Sequence, residues 1–330
     1  MSSEQVVTMD TAANTPIDKG PIDKGPIEKG LTEQDLVVYK TMPVWSAKTL
    51  PNGFKEKHNT KEGVWAKLTV LEGALDFAFL TEEGKVVDEL IFTPEEQAPL
   101  VEPQVWHRIS SVSPDILCQL RFLCEPRDYY FRKYGLTPPH SEVVAALKGN
   151  LEVDASPWAL DVGCGKGRNA LYLQQHGWKV TCWDRNAESI QSLATIAQEE
   201  KIQENIDATV HDLDSESLPT GPYNLIVNTV VLMFLEPKSV NRVVKEMQQS
   251  TADGGYNLIV CAMDSDDYPL SDQPNLPFKF TFKKGQLKEL YSNWSILKYN
   301  EDVGSLHKTD EHGNPIQLRF ATLLAKKISS

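Results

Sequence analysis

The sequence lacks several features that would place the protein in a membrane or in an oxidising compartment. No apolar run approaches the ~20 residues that a membrane-spanning helix needs, and the N-terminus has no signal-peptide core. The five cysteines are odd in number and form no C-x-x-C pair, which argues against a framework of disulfides. We therefore expect a soluble, cytoplasmic protein with reduced thiols.

Positive charge is also scarce. The chain has 33 Lys and Arg residues against 46 Asp and Glu residues, which gives a formal net charge of -13. An acidic surface without a local basic patch attracts neither nucleic acid nor an anionic membrane. We therefore expect neither of them as a partner.

A five-residue repeat, PIDKG-PIDKG-PIEKG, occupies residues 16–30. Each unit has a turn-forming residue at both ends and one apolar residue, which is too little to build a core. We predict a disordered tail over residues 1–35. With 330 residues in all, the chain is still long enough for two domains of ~100–200 residues each.

The segment 36–127 has its apolar residues in short runs separated by turn signals. The clearest runs are residues 63–71, 74–80, 86–92 and 116–122. This spacing predicts an all-β domain, either an antiparallel sandwich or a small barrel.

One part of this segment is similar to an arm of a cupin barrel. Pro103 precedes His107 in a Pro-x-x-x-His pattern, in which the histidine can be a metal ligand. The second cupin motif, with paired histidines and a glutamate, is absent, and only His58 and Glu62 lie nearby. We therefore interpret His107 as a core or rim histidine and predict no metal site.

From residue 128 to residue 330, strand patterns alternate with helix patterns. Such alternation predicts an α/β domain with a doubly wound, mostly parallel sheet of the Rossmann-like kind. The last two strand patterns, at 295–299 and 317–325, follow each other without a helix. We expect a long loop between them and an antiparallel last strand.

The most informative stretch lies near the start of this second domain. An apolar run at 158–162 leads into a G-x-G-x-G turn formed by Gly163, Gly165 and Gly167, and an amphipathic segment follows at 169–175. The glycines therefore lie between a buried strand and a helix. Backbone can approach a ligand closely there, and the N–H groups of the helix face it.

Two classes of nucleotide cofactor use such a turn, and nearby residues separate them. The dinucleotide fingerprint needs a small residue where this chain has Arg168. Asp161 would repel a pyrophosphate but suits the ammonium group of an amino-acid tail. Asp184 ends the second strand and can accept from both ribose hydroxyls, and Asp212 ends the third and can accept from an adenine amine. The set predicts S-adenosylmethionine.

Longer segments closely resemble the tellurite-resistance methyltransferases of the TehB type. They are KYGLTPPHS at 133–141, LDVGCGKGRN at 160–169, TVVLMFL at 229–235, GGYNLIV at 254–260, FKFTF at 278–282 and YNEDVGSLH at 299–307. The resemblance covers about 129–327, and residues 36–127 look like the cupin-like domain of the longer members. It implies a class I methyltransferase fold, S-adenosylmethionine as methyl donor, and oxyanions of tellurium or selenium as substrates. It also implies that Lys133, Tyr134, Leu213 and Thr229 help to bind the cofactor.

A tellurite centre already carries a lone pair, so its methylation needs no general base. A dianion does need a locally positive pocket in a protein of net charge -13. The candidates for catalytic residues are Arg168 beside the glycine turn, His307 in the expected loop, and Arg319 on the last strand, with Lys133 and Lys308 as further cations. Arginine suits an oxyanion because its planar fork offers paired donors.

Two other functions stay open at this point. The enzyme could methylate a small organic thiol or amine instead of an oxyanion. Alternatively, the chain could be a sensor that binds S-adenosylmethionine and a metal without turnover. The sequence leaves open the methyl acceptor, the ligand of residues 36–127 and the oligomeric state, with a homodimer among the expectations.

Overall fold

The structure is a computed structural model that describes residues 31–149, 151–153, 155–218, 220–310 and 312–328, without the side chain of His307. Most of the predicted tail, residues 1–30, lies outside the described residues. Within the described ranges, no helix is long and apolar enough to cross a membrane.

Eight strands lie within the described residues 31–124, and all of their pairings are antiparallel. They are β1 (Val37–Thr41), β2 (Trp45–Ser46), β3 (Trp65–Glu72), β4 (Leu75–Leu80), β5 (Val86–Phe92), β6 (Leu100–Val101), β7 (His107–Val112) and β8 (Leu117–Cys124). One sheet has the order β1-β8-β3-β6 with β2 on β8, and the other has the order β5-β4-β7.

The two sheets share one apolar core. Along β3 the buried residues alternate, so that Ala66, Leu68 and Val70 face inward. They belong to the same buried cluster as Phe77 on β4 and Ile109 on β7. The predicted all-β unit is confirmed.

The rest of the chain alternates helices and strands around a second sheet. Its elements are α1 (Tyr129–Tyr134), α2 (Ser141–Lys148), β9 (Trp158–Val162), α3 (Arg168–Gln175), β10 (Lys179–Asp184), α4 (Ala187–Glu199), β11 (Ile206–Val210), β12 (Tyr223–Thr229), α5 (Pro237–Ser250), β13 (Thr251–Ala262), α6 (Gln286–Leu290), β14 (Ser295–Thr309) and β15 (Pro315–Lys326). The strand order is β11-β10-β9-β12-β13-β15-β14, parallel except at β15. This confirms the predicted class I methyltransferase fold.

The central strand β9 is buried on both faces, which explains its apolar sequence. Leu160 packs into the cluster that includes α5, whereas Ala159 packs into the cluster that includes α3 and α4. After β9 the chain builds β10 and β11 on one side, and it later adds β12 and β13 on the other. The carboxyl ends of β9 and β12 therefore meet at the switch point where such sheets bind ligands.

The expectation of a long loop between the last two strands was wrong. The strands β14 and β15 form a long hairpin whose pairing extends to Thr309 and Pro315. His307 therefore lies within β14 and not in a loop. Polar and small residues such as Asp302 and Gly304 suggested a loop, but pairing with a long neighbouring strand overrides such weak local preferences.

A cluster of polar groups ties α1 to the end of α4. The Glu200 carboxylate accepts hydrogen bonds from the Lys133 Nζ at 2.7 Å, the Tyr134 hydroxyl at 2.5 Å and the Tyr129 hydroxyl at 3.1 Å. Burial raises the pKa of Glu200, but these donors outweigh it and hold the pKa below its ordinary value. The ionised form is thus the one that the fold stabilises.

We expect Glu200→Gln to lower the free energy of unfolding by about 1–3 kcal/mol, because charge-assisted hydrogen bonds are weakened. The deficit should shrink as the pH falls through the depressed pKa of Glu200, since the wild-type contact is itself lost there. Urea unfolding at neutral and acidic pH measures both effects. Glu204→Gln, a change at an exposed residue, is the control, and equal stabilities of the two variants would contradict the role of Glu200.

Candidate cofactor and substrate cleft

The turn between β9 and α3 uses its three glycines for different purposes. All three have positive φ: +77° at Gly163, +55° at Gly165 and +88° at Gly167. A Cβ at Gly163 would lie 2.4 Å from the Val231 side chain, and one at Gly167 would lie 2.4 Å from Leu193. A Cβ at Gly165 would meet no atom within 4 Å, so this backbone faces open space. Tight packing on both sides thus leaves a bare edge of backbone for a ligand.

Asp161 lies on β9 just before this turn and is 1% exposed. Its Oδ2 atom is buried and has no hydrogen-bond partner among the described residues. Burial raises the pKa of the carboxyl to about 7, and the charge of Arg168 opposes this shift. Asp161 lines none of the cavities around the turn, but a buried acceptor without a partner next to Gly163 can still accept from a ligand donor. It fits the ammonium group of an amino-acid tail.

Asp184, at the end of β10, holds the turn in place. Its Oδ2 accepts from the Gly165 N–H at 2.9 Å, and its Oδ1 accepts from the Asn186 N–H at 2.8 Å. Each carboxylate oxygen has further acceptor capacity, which suits a ribose diol. The two backbone donors therefore fix the orientation of this carboxylate.

Next to Asp184 lies a slot of about 190 Å³ that includes Asp212, Leu213 and Phe234. Asp212 accepts from the Asp214 N–H at 3.0 Å and from the Ser215 hydroxyl at 3.2 Å, so its carboxylate also shapes the local turn. Leu213 is buried and provides an apolar wall. The structure thus brings both predicted residues to one flat-walled slot.

His211 lines the same slot and was not predicted from the sequence. Its ring stacks on Trp183 with centroids 3.9 Å apart, and its Nε2 atom is buried without a hydrogen-bond partner among the described residues. Its place directly before Asp212, at the end of a strand pattern, was the only signal in the sequence. A ligand with a polar edge can satisfy this atom.

Val230 lies at the centre of the cleft and was not predicted from the sequence either. Its φ of +63° is uncommon for a β-branched residue and marks local strain, which is often stored at functional sites. Val230 lines the glycine-turn cavity, the slot beside Asp184 and a third cavity of about 380 Å³. These three cavities therefore form one cleft over the carboxyl ends of β9 and β12.

Thr229 supports this cleft through a chain of hydrogen bonds. Its hydroxyl accepts from the Asn169 Nδ2 at 3.0 Å, and the Asn169 Oδ1 accepts from the His140 N–H at 2.9 Å. Asn169 is 3% exposed, so these bonds are sheltered from water. They fix the segment before α2 against the glycine turn.

Arg168, the first residue of α3, lines both the glycine-turn cavity and the third cavity. Its guanidinium makes no hydrogen bond or ion pair with any residue that the structure describes. Burial lowers its pKa, and the charge of Asp161 opposes that effect. An arginine keeps its charge in such a setting. The third cavity thus has a guanidinium that is free to bind an anion.

Other predicted site residues lie elsewhere. Lys133 and Tyr134 contact Glu200 and line none of the three cavities of the cleft. Arg319 pairs with Asp267 at 2.6–3.0 Å and donates to the Glu301 carbonyl at 2.7 Å. The predictions for these three residues do not match this arrangement.

The reason for the position of Arg319 is the alternation of side chains along a strand. Phe320 and Thr322, on β15, line the third cavity, so Arg319 faces the other side of the sheet. Lys308 donates to the Asn275 carbonyl at 3.0 Å. The side chain of His307 lies outside the description, and its role stays a prediction.

His107, in the first unit, is 5% exposed, as expected for a core histidine. Its ring stacks on Phe77 with centroids 5.2 Å apart. Burial lowers its pKa to about 4. Among the residues that the structure describes, no group of three or more His, Cys, Asp and Glu side chains could hold a metal ion.

Comparisons with known proteins identify the family of this chain. A family model described as "Tellurite resistance protein TehB" matches residues 122–324, and one described as "TehB-like domain" matches residues 40–120. The chain belongs to the TehB family. The "Probable S-adenosyl-L-methionine-dependent methyltransferase TehB" of Haemophilus influenzae (strain 10810) is 48% identical over 293 residues, which are 89% of this chain and 99% of that protein.

Two further relatives extend the comparison. The crystal structure of TehB from Haemophilus influenzae superimposes with a TM-score of 0.82 at 48% identity and covers 90% of this chain and 100% of that one. "Hemagglutinin 1" of Eikenella corrodens is 40% identical over 248 residues, which are 75% of this chain and 79% of that protein. The chain is an S-adenosylmethionine-dependent methyltransferase, as predicted. Family membership thus argues against the sensor without turnover.

We expect Asp184→Ala to weaken S-adenosylmethionine binding more than about tenfold, because each hydrogen bond to an ionised acceptor contributes roughly 1.5–3 kcal/mol. Isothermal titration calorimetry measures the affinity. Asp207→Ala, an exposed carboxylate on the neighbouring strand β11, is the matched control. Unchanged affinity in Asp184→Ala would remove this residue from the site.

A second prediction concerns pH. The pKa of Asp161 in the folded protein is about 7, which is above the ordinary aspartate value, so ionising it destabilises the cofactor-free fold as the pH rises. An ammonium group favours the ionised form, so binding below about pH 7 should release a proton and affinity should increase with pH. Calorimetry in two buffers of different ionisation enthalpy counts the protons. Asp161→Asn should bind more weakly and release none, and proton release equal to wild type would refute the assignment.

Proposed function

We propose that the enzyme methylates a small oxyanion of tellurium or selenium, bound in the third cavity. The observation that carries the proposal is the Arg168 guanidinium, which has no partner among the described residues and lies between the glycine turn and this cavity. A planar guanidinium can donate two parallel hydrogen bonds to an oxyanion. The family description, which names tellurite resistance, supports the same substrate class.

Two carboxylates, those of Glu142 and Asp302, also line the third cavity. Glu142 accepts from the Lys298 Nζ at 2.6 Å and 2.9 Å, so this pair adds little net charge. Among the described residues that line the cavity, Arg168 is the only Lys or Arg. It is therefore the residue of this lining to which an anion would bind.

The reaction requires the protein mainly to bind the methyl donor and the oxyanion and to align them. S-adenosylmethionine supplies an electrophilic methyl group on a sulfonium. Asp161 and Asp184 would hold its amino-acid tail and ribose, and His211, Asp212 and Leu213 would surround the adenine. Arg168 would position the oxyanion, whose lone pair forms the new bond without loss of a proton.

We also propose that the chain divides into a cupin-like unit at 36–127 and a methyltransferase unit at 128–330. The separate family matches, at 40–120 and 122–324, support this division. Within the described residues, every group that lines the cleft follows residue 134. A cytoplasmic location and the absence of nucleic-acid and membrane partners stay predictions.

We expect Arg168→Ala to lower kcat with tellurite by about tenfold or more, as is typical for the loss of one preorganised donor. Rates should be measured as S-adenosylhomocysteine release at saturating cofactor and at a pH above 7, because Arg168 also helps to ionise Asp161. Arg168→Lys should retain part of the rate, since it keeps the charge but loses the fork. Lys179→Ala removes an exposed charge at the opposite edge of the sheet and should leave the rate unchanged.

The same assay separates the proposal from its alternative. Wild-type enzyme is compared on tellurite, selenite, and a panel of small thiols and amines. Faster turnover of a thiol or an amine, with Arg168→Ala unimpaired on it, would replace the oxyanion by that acceptor. Equal rates of Arg168→Ala and wild type on tellurite would remove the guanidinium from the reaction.

A further inference from the structure

A second large cavity lies within the cupin-like unit, far from the glycine turn in sequence. It is about 530 Å³ in volume, within the usual range for small-molecule sites. Four aromatic side chains provide much of its wall: Trp45, Phe54, Phe77 and Phe122. One side is closed by α1, which contributes Phe131 and Arg132. An apolar body of moderate size would fit against these rings.

The charges around this cavity all have one sign. Lys40, Lys61 and Arg132 line it, and none of the described lining residues is Asp or Glu. This is unusual in a protein whose acidic residues outnumber its basic ones by 46 to 33. Clustered cations beside a low-dielectric wall attract an anion.

Arg132 shows most directly that an acceptor is missing. Its Nη2 donates to the Glu62 carbonyl at 2.6 Å, which fixes the guanidinium at the cavity. Its Nε is buried without a hydrogen-bond partner among the described residues, and Arg132 makes no ion pair with any of them. A buried donor without an acceptor is costly unless a ligand supplies one.

Two histidines complete the polar lining. The rings of His58 and His107 lie 4.3 Å apart, and their Nδ1 atoms face the carbonyls of Glu56 at 2.9 Å and Val105 at 2.8 Å. A carbonyl oxygen only accepts, so each Nδ1 carries a proton. Burial lowers the pKa of His107 to about 4, which keeps this ring neutral and leaves its Nε2 as an acceptor. His107 therefore adds polarity but no positive charge at neutral pH.

We propose that this cavity binds a small organic anion, with an aromatic or other apolar body between the rings and a carboxylate on Arg132. The apolar wall and the Arg132 Nε, which has no partner among the described residues, each match one part of such a ligand. Lys40 and Lys61 attract its charge without forming ion pairs with any described residue. The site is separate from the methyl-transfer cleft and does not depend on the identity of the methyl acceptor.

The position of Arg132 on α1 couples this site to the glycine-turn cavity. Helix α1 ends at Gly135, which has φ +67° and lines both this cavity and the glycine-turn cavity. A carboxylate that binds Arg132 restrains the helix whose cap borders the cofactor. We therefore expect the two ligands to change each other's affinity by the same factor, as linkage requires.

The experiment titrates the full-length protein with 3-phenylpropionate, benzoate and octanoate by calorimetry, and with the uncharged analogue 3-phenylpropanamide. At least one carboxylate should bind, and the amide should bind about tenfold more weakly than 3-phenylpropionate or worse, as expected for a lost charge-assisted contact. Arg132→Gln should remove this difference. Arg127→Gln, an exposed charge that pairs with Glu125 outside the cavity, is the matched control and should retain it.

Thermal unfolding checks that Arg132→Gln is folded, and Lys61→Gln gives a second test at an exposed residue, with a smaller loss expected. Absence of binding by all three carboxylates at millimolar concentration would overturn the proposal. Equal affinities for acid and amide, or binding that requires added Zn²⁺, would overturn it in favour of an apolar pocket or a metal centre at the histidines. Equal S-adenosylmethionine affinity with and without saturating 3-phenylpropionate would overturn the coupling.

Discussion

The close passage of β9 into α3 is the constraint on which the rest of the cleft depends. Gly163 and Gly167 must lie against Val231 and Leu193 at distances that leave no room for a Cβ. Because the backbone turns so tightly, Asp161 is buried at the end of the strand and Arg168 enters the first turn of the helix. The Asp184 carboxylate then reaches the Gly165 N–H and locks the loop. A side chain at Gly163 or Gly167 would displace these groups together.

This geometry creates an electrostatic imbalance that a ligand can relieve. Asp161 and Arg168 attract each other but do not form an ion pair within contact distance, and each is partly stripped of water. A zwitterionic amino-acid tail can compensate the carboxylate, and an anionic acceptor can compensate the guanidinium. Val230, whose φ is +63°, lines the same two cavities as Arg168. Sites that must align two reactants typically contain buried charged groups and strained backbone before the ligands bind.

The sequence predicted those features that depend on one element and its immediate turn. The glycine turn, Asp161 and Asp184 follow from strand, turn and helix patterns, and the structure brings them together. These patterns do not show which face of a strand borders the cleft. Arg319 was therefore predicted as a site residue, although its side chain pairs with Asp267. The contact of Lys133 could not be predicted either, because its partner Glu200 is distant in sequence.

Backbone strain and ring stacking could not be predicted from the sequence either. A β-branched residue such as Val230 predicts extended backbone, and only the surrounding structure forces its positive φ. The role of His211 depends on stacking against Trp183, which lies on another strand. The length of β14 depends on its partner β15 and not on its own polar residues. In each case a contact between distant segments decided the outcome.

The contact between the two units also depends on interactions between segments that are distant in sequence. The N-terminal unit uses α1 as part of its cavity wall, while the next residues of the chain, Gly135 to Thr137, border the glycine turn. The Glu200 cluster holds this short helix on α4, and Arg132 holds it on the Glu62 carbonyl. A helix of six residues has little stability of its own, so its position depends on these contacts. Any ligand that replaces one of them acts on a segment that already touches the cofactor cleft.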